Sequence, residues 1–164
     1  MNDVIVGIVM VKVLVVYESK YGNTKRVAEA IVEGMNEAEE VEVTIRELKE
    51  VDLNAISAYD AILIGSPNHF GGPTRGIKGF IDKFGELQLQ GKKFAVFDTY
   101  MGGDFEKAAK KMEKQINEKV LGLKQIISGL SIKVQGMKGP ILEGELPRCR
   151  EFGRKIAAQL KLGG

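Results

Sequence analysis

Residues 11–35 read VKVLVVYESKYGNTKRVAEAIVEGM. An aliphatic run ending at Tyr17 gives way, after a short polar connection, to Val27, Ile31 and Met35 at four-residue steps. The first pattern is that of a strand buried on both faces, and the second that of an amphipathic helix. Strand, short loop and helix in this order form the first half of a βαβ unit, which commits the chain to a parallel sheet. The connection itself, ESKYGNT at 18–24, crowds the hydroxyls of Ser19, Tyr21 and Thr24 around Gly22 and Asn23.

The pattern then repeats. Four further strand candidates, VEVTIREL (41–48), DAILIGS (60–66), KFAVFDT (93–99) and LSIKVQG (130–136), are separated by stretches of helical periodicity. Ile77, Phe80, Ile81 and Phe84 mark one helix face. Phe105, Ala109, Met112, Ile116, Val120 and Leu123 mark a second, and Cys149, Phe152, Ile156 and Leu160 a third. This alternation predicts an α/β three-layer sandwich built on a five-stranded parallel sheet. AILI and FAVF are continuous apolar runs suited to central strands, whereas VEVTI and LSIKV alternate and suit half-exposed edges. Putting the second and fifth strands at the edges gives the order 2-1-3-4-5 with right-handed crossovers.

With 164 residues, no repeat and no Pro/Ser linker, the chain reads as a single domain spanning 1–164. Lys+Arg 24 against Asp+Glu 22 leaves a net charge of +2, without the concentrated basic footprint of a nucleic-acid binder. One cysteine excludes an internal disulfide framework and fits a reducing, cytoplasmic setting. One histidine beside that cysteine does not supply a His/Cys zinc set, so no metal is expected. The apolar N-terminus is interrupted by Lys12 and lacks a basic n-region, which argues against a signal peptide or a membrane span. Residues 1–9 are read as a non-essential extension ahead of Met10.

Ligands of open parallel sheets collect beyond the strands' carboxyl ends, where the winding reverses. Three loops reach that edge: ESKYGNT, SPNHFGGPTRG and TYMGGD. The first offers hydroxyls and a helix N-terminus, a suitable cradle for an anion. Its competing explanation is a helix cap supplied by Asn23 or Thr24, and the two readings share the same N–H donors. The second places Pro67, Asn68, His69, Phe70 and Gly71 where backbone could approach a flat ligand. Its alternative is a structured turn with Phe70 tucked into the core. The third brings Thr99, Tyr100, Met101 and Gly102, with an aromatic available for stacking.

Other nucleotide and hydrolase signatures fail. No G-x-G-x-x-G follows the first strand, Ile77 stands where a phosphate-loop lysine would be needed after GGPTRG, and there is no nucleophile elbow.

VYESKYGNTKRVAEAI closely resembles the phosphate loop of the flavodoxin family. GSPNHFGGPTRGIKGFIDKFG resembles the family's second flavin loop, particularly in the tryptophan-repressor-binding-protein branch of FMN quinone reductases. GPILEGELPRCREFGRKIAAQL is similar to that branch's closing helix. The resemblance implies FMN as cofactor and 2-1-3-4-5 as the strand order. It implies that Ser19, Tyr21, Gly22, Asn23 and Thr24 hold the phosphate while Lys20, Lys25 and Arg26 face water. Pro67, Asn68, His69, Phe70 and Gly71 would line one side of the isoalloxazine ring, and Thr99, Tyr100, Met101 and Gly102 the other. The function it implies is electron transfer between redox partner proteins. The alternative is an FMN-dependent NAD(P)H:quinone oxidoreductase in which His69 polarises the acceptor. Neither nucleic acid nor membrane is an expected partner, and a monomer or small homo-oligomer is expected. Against the usual strongly acidic carrier, the sequence pI is about 8.6, and Arg75, Lys78 and Lys83 directly follow the second loop. That charge favours acidic partners.

Overall fold

The computed structural model describes residues 4–5 and 8–163. The sheet at its centre consists of β3 (Val11–Tyr17), β4 (Val41–Glu47), β5 (Ala61–Pro67) and β6 (Lys93–Tyr100), with two short strands, β7 (Lys124–Gln125) and β8 (Leu130–Lys133). Its order is β4-β3-β5-β6, with β7 and β8 both paired to β6, and every ladder is parallel. This is the expected 2-1-3-4-5 arrangement with its fifth position split in two. Helices α1 (Asn23–Met35) and α4 (Glu145–Gly163) cover one face, and α2 (Arg75–Phe84) and α3 (Lys107–Lys119) the other. Of the expected extension at 1–9, Val4–Ile5 (β1) pairs antiparallel with Ile8–Val9 (β2) in a separate two-stranded sheet; residues 1–3, 6 and 7 lie outside the described residues.

Each central strand feeds both cores. Val13 and Val15 of β3 pack with Ile31 and Met35 of α1 and Phe152 and Ile156 of α4. Leu14 and Val16, pointing the other way, join Ile77 and Phe84 of α2 and Met112 and Ile116 of α3. Burying such side chains contributes roughly 1.5–3 kcal/mol apiece, which is why continuous apolar strands are selected here.

Two sequence expectations change. The alternation in LSIK was read as a half-exposed edge, yet Leu130, Ser131 and Ile132 are all buried. Ser131 is a polar residue kept inside by a carboxylate partner, Asp98. Phe105, assigned to the apolar face of α3, lies before the helix and is exposed, packed edge-on against Tyr100.

The tightest contact between helices joins α1 and α4. A β-carbon on Gly34 would lie 2.0 Å from the Arg150 carbonyl oxygen, and one on Gly153 would lie 2.0 Å from the Ile31 carbonyl oxygen. Backbone therefore touches backbone, which only glycine permits. Gly34→Ala and Gly153→Ala are each expected to destabilise the chain by more than about 2 kcal/mol in urea unfolding. Gly79, within α2, has nothing within 4 Å of such a β-carbon. Gly79→Ala should instead stabilise by about 0.5–1 kcal/mol.

Candidate cofactor site

The parallel sheet brings the ends of β3, β5 and β6 to one edge, and short-range hydrogen bonds tie their loops together. The Glu18 N–H donates to the Gly65 carbonyl (3.2 Å) and the Asn68 N–H to the Thr99 carbonyl (2.8 Å). The Thr24 and Thr99 hydroxyls share a buried hydrogen bond of 2.9 Å. Thr74, which caps α2 by accepting from the Ile77 N–H, donates its own hydroxyl to the Glu18 carboxylate. The three loops thus form one shelf.

At the first loop the cap reading fails. The N-cap of α1 is Gly22, in the left-handed region at φ 94°, and no side chain caps the helix. The Ser19 hydroxyl accepts from the Gly22 N–H (3.0 Å), and the Arg26 N–H is the first to find a carbonyl, that of Gly22. The amides of Asn23, Thr24 and Lys25 have no acceptor among the described residues. An uncapped first turn with three free donors is a site for an anion. Side chains expected at the anion are partly committed elsewhere. Asn23 donates to the Met137 carbonyl (3.4 Å), and Thr24 is buried against Thr99. Tyr21 is exposed with the Lys20 ammonium 5.4 Å from its ring centre, and Lys25 and Arg26 face solvent.

The second loop makes a tight turn from His69 to Gly72. The His69 N–H donates to the Gly72 carbonyl (2.6 Å), and the Gly72 N–H returns to His69 (3.2 Å). Both central residues have positive φ, 51° at Phe70 and 78° at Gly71. Left-handed geometry is natural for Gly71 but costs a bulky residue roughly 1–2 kcal/mol. It leaves Phe70 98% exposed, with its ring centre 4.9 Å from that of His69. Phe70 is therefore not a core residue. Pro67 ends β5, and the Asn68 amide donates to Asp104 (2.8 Å). The Asn68 side-chain oxygen is buried without a hydrogen-bond partner.

In the third loop Thr99 is buried beneath Thr24, while Tyr100 packs on Phe105. Met101 is exposed and Gly102 adopts φ 63°. The sequence reading missed the support under this loop. The Asp98 carboxylate is fully buried and accepts from the Ala109 N–H (2.8 Å) and the Ser131 hydroxyl (2.5 Å). Ser131 in turn accepts from the N–H of Glu106, itself at φ 62°. A lone Asp inside an apolar strand was the available signal. The hairpin carrying Met137, closed by a Val134–Ile141 bridge, left no such signal.

Free amides, an exposed aromatic on a strained turn, a buried unpaired amide oxygen and three left-handed glycines all face one edge. A flat ligand carrying a phosphate fits these features: the free amides suit its anion and the Phe70 turn its apolar face.

A family model described as Flavodoxin matches residues 15–143. A flavodoxin of Aquifex aeolicus (strain VF5) is 30% identical over 90% of this chain and 86% of the relative. A flavodoxin of Clostridium saccharobutylicum is 34% identical over 88 residues, so the match spans about half of that relative (55%) and 54% of this chain. The solved structure of Flavodoxin 2 from Bacillus cereus superposes with a TM-score of 0.77 at 28% identity, covering 90% of this chain and 99% of the other.

Burial pushes the Asp98 carboxyl up to about 6, against the opposing hydrogen bonds from Ser131 and Ala109. Between about pH 4 and pH 6 the folded chain retains a proton at Asp98 that the unfolded chain has released, so stability falls as pH rises through this window. Asp98→Asn is expected to remove that slope. Urea titrations should show the variant gaining on the native chain by about 2–3 kcal/mol from pH 4 to pH 7. A separate expectation follows from the strained turn. Phe70→Asn places a residue tolerant of positive φ there, and should stabilise the ligand-free protein by about 0.5–1 kcal/mol in the same assay. A loss of stability would show that the turn is not strained.

Proposed function

The chain belongs to the flavodoxin family, FMN-binding electron carriers, and on that premise we propose that FMN lies on the shelf between the 19–24, 67–71 and 99–102 loops. The observation that carries this placement is the uncapped N-terminus of α1, whose free amides face the same edge as the Phe70–Gly71 turn. When bound, FMN supplies the redox chemistry, and the protein sets its orientation, exposure and electrostatic surroundings.

The residues divide that work. The amides of Asn23, Thr24 and Lys25 hold the phosphate, with the helix N-terminus favouring its negative charge. Ser19 fixes the Gly22 amide, and the Thr24–Thr99 bond locks the cradle to the third loop. Phe70 and Gly71 present one side to the ring, with Pro67, Asn68 and His69 holding the turn. Tyr100, Met101 and Gly102 present the other, over the Asp98–Ser131 brace. The partners are redox proteins with an acidic face, because exposed Arg75, Lys78 and Lys83 give α2 a basic outer surface. Among the described residues no helix is long and apolar enough to cross a membrane. The single cysteine, Cys149, is buried, and burial pushes its thiol up to about 12; an unreactive thiol of this kind suits a cytoplasmic carrier.

Titration of the apoprotein with FMN should produce a one-to-one complex with absorption bands near ~370 and ~450 nm, the signature of the cofactor itself. Ser19→Ala combined with Thr24→Val removes both hydroxyls at little cost in volume. It should weaken FMN by at least about tenfold, or about 1.4 kcal/mol. Unchanged affinity would sink the cradle assignment. Steady oxidation of NADH with a quinone would replace the carrier by an oxidoreductase.

A further inference from the structure

Positive charge on the outer flank of the shelf is arranged unevenly. Helix α3 carries Lys107, Lys110, Lys111, Lys114 and Lys119. Four of these have a carboxylate within 4.0 Å: Lys107 with Asp104, Lys110 with Glu106, Lys114 with Glu118 and Lys119 with Asp82. Lys111 has none among the described residues, and neither does Lys78 on the facing helix α2. Yet both reach the same turn. A β-carbon on Gly72 would lie 3.8 Å from Lys111 Nζ and 3.9 Å from Lys78 Cε, and one on Gly71 would lie 4.0 Å from Lys107 Cδ.

The α2–α3 seam is thus neutralised at one end only. Away from the shelf, Asp82 accepts from both Lys119 and Gln115. At the other end Lys78 and Lys111 both reach the Gly71–Gly72 turn, and neither has a carboxylate within 4.0 Å among the described residues. Cations left unmatched beside one turn suit a group of opposite sign in the working state. The two lysines stand exposed on two helix surfaces, next to the turn that carries Phe70 at 98% exposure. An apolar anchor flanked by cations has the make-up of a protein-docking surface.

We propose that Lys78 and Lys111, beside the Gly71–Gly72 turn, receive the carboxylates of an acidic redox protein. This rests on the electron-carrier reading above and adds the place where the partner sits. The cluster steers the partner's acidic face onto the turn that borders the cofactor shelf, and the pairing is weakened by salt.

The test uses Lys78→Glu/Lys111→Glu, two positions outside the proposed FMN contacts, with Lys78→Gln/Lys111→Gln as the milder pair. Cytochrome b5 serves as the acidic probe and cytochrome c as the basic one. Electron transfer from the reduced holoprotein to cytochrome b5 should slow at least about tenfold in the Glu pair at low salt, and by less in the Gln pair. Transfer to cytochrome c should speed up, and FMN affinity should stay within about twofold of the native value. The second readout needs no cofactor: amide NMR of the apoprotein should show shifts at 71–72, 78 and 107–111 on adding redox-inert zinc-substituted cytochrome b5, abolished in the Glu pair. Shifts confined to other surfaces, or an unaltered cytochrome b5 rate, would overturn the proposal. Shifts there on adding NADPH but not cytochrome b5 would overturn it in favour of a dinucleotide site. Failure to bind FMN with the NMR response intact would instead count against the carrier reading alone.

Discussion

The backbone contact between α1 and α4 is the constraint on which the site depends. With Gly34 against the Arg150 carbonyl and Gly153 against the Ile31 carbonyl, the two helices pack backbone on backbone, and a methyl group at either position would force them apart. Val27 and Ile31 on α1 then seat against Val13 and Val15 of β3, fixing where the first turn of the helix emerges. The Thr24–Thr99 hydrogen bond passes that position on to β6. A shift of α1 along its axis would move the free amides of Asn23–Lys25 relative to the Phe70 turn. Close packing far from the shelf is therefore what sets its dimensions.

The shelf itself is locally unfavourable in several ways at once. Among the described residues the two non-glycine residues with positive φ, Phe70 and Glu106, both lie in its loops. So do the amides of α1 without acceptors, the unpaired Asn68 oxygen and the buried Asp98 carboxylate. The left-handed Phe70 and Glu106 and the buried, unpaired Asn68 oxygen each cost on the order of 1–3 kcal/mol. Such costs persist only where the surrounding structure enforces them. Here the enforcing contacts are the two cores and the ladder of parallel strands beneath. A bound phosphate would satisfy the α1 amides, and a bound ring would cover Phe70. A ligand that relieved these costs would stabilise the folded chain correspondingly.

The sheet was legible because its signal is collective. Alternate residues of β3 must fill two cores, so VLVV admits no polar residue, and the order follows from which strands can afford exposure. Pairwise polar chemistry was not legible. Nothing in LSIK says that Ser131 is buried, because its partner Asp98 lies 33 positions away. The competing cap explanation fails for a related reason. Asn23 and Thr24 have the right chemistry for capping, but Asn23 is drawn to Met137 and Thr24 to Thr99, leaving Gly22 at the cap position. Phe105 fits the helical period of α3, yet the chain turns through Glu106 before the helix begins.

The same distinction applies to charge. A net of +2 suggests a nearly neutral molecule, and along α3 four of the five lysines are matched by carboxylates, as its i,i+3 and i,i+4 pairs and the Lys119–Asp82 pair show. The carboxylates nearest the shelf are engaged inward: Glu18 receives the Thr74 hydroxyl, and Asp104 receives Asn68 and Lys107. Lys78 and Lys111 have no such partners. What the exposed rim presents is therefore the unmatched remainder, a field set by a few lysines rather than by the overall balance. That field acts on any protein approaching the Gly71–Gly72 turn. Because it decays within about 8 Å at physiological salt, only charges on the loops and the facing ends of α2 and α3 contribute appreciably. A basic carrier of this fold can thus have an acidic partner without being basic all over.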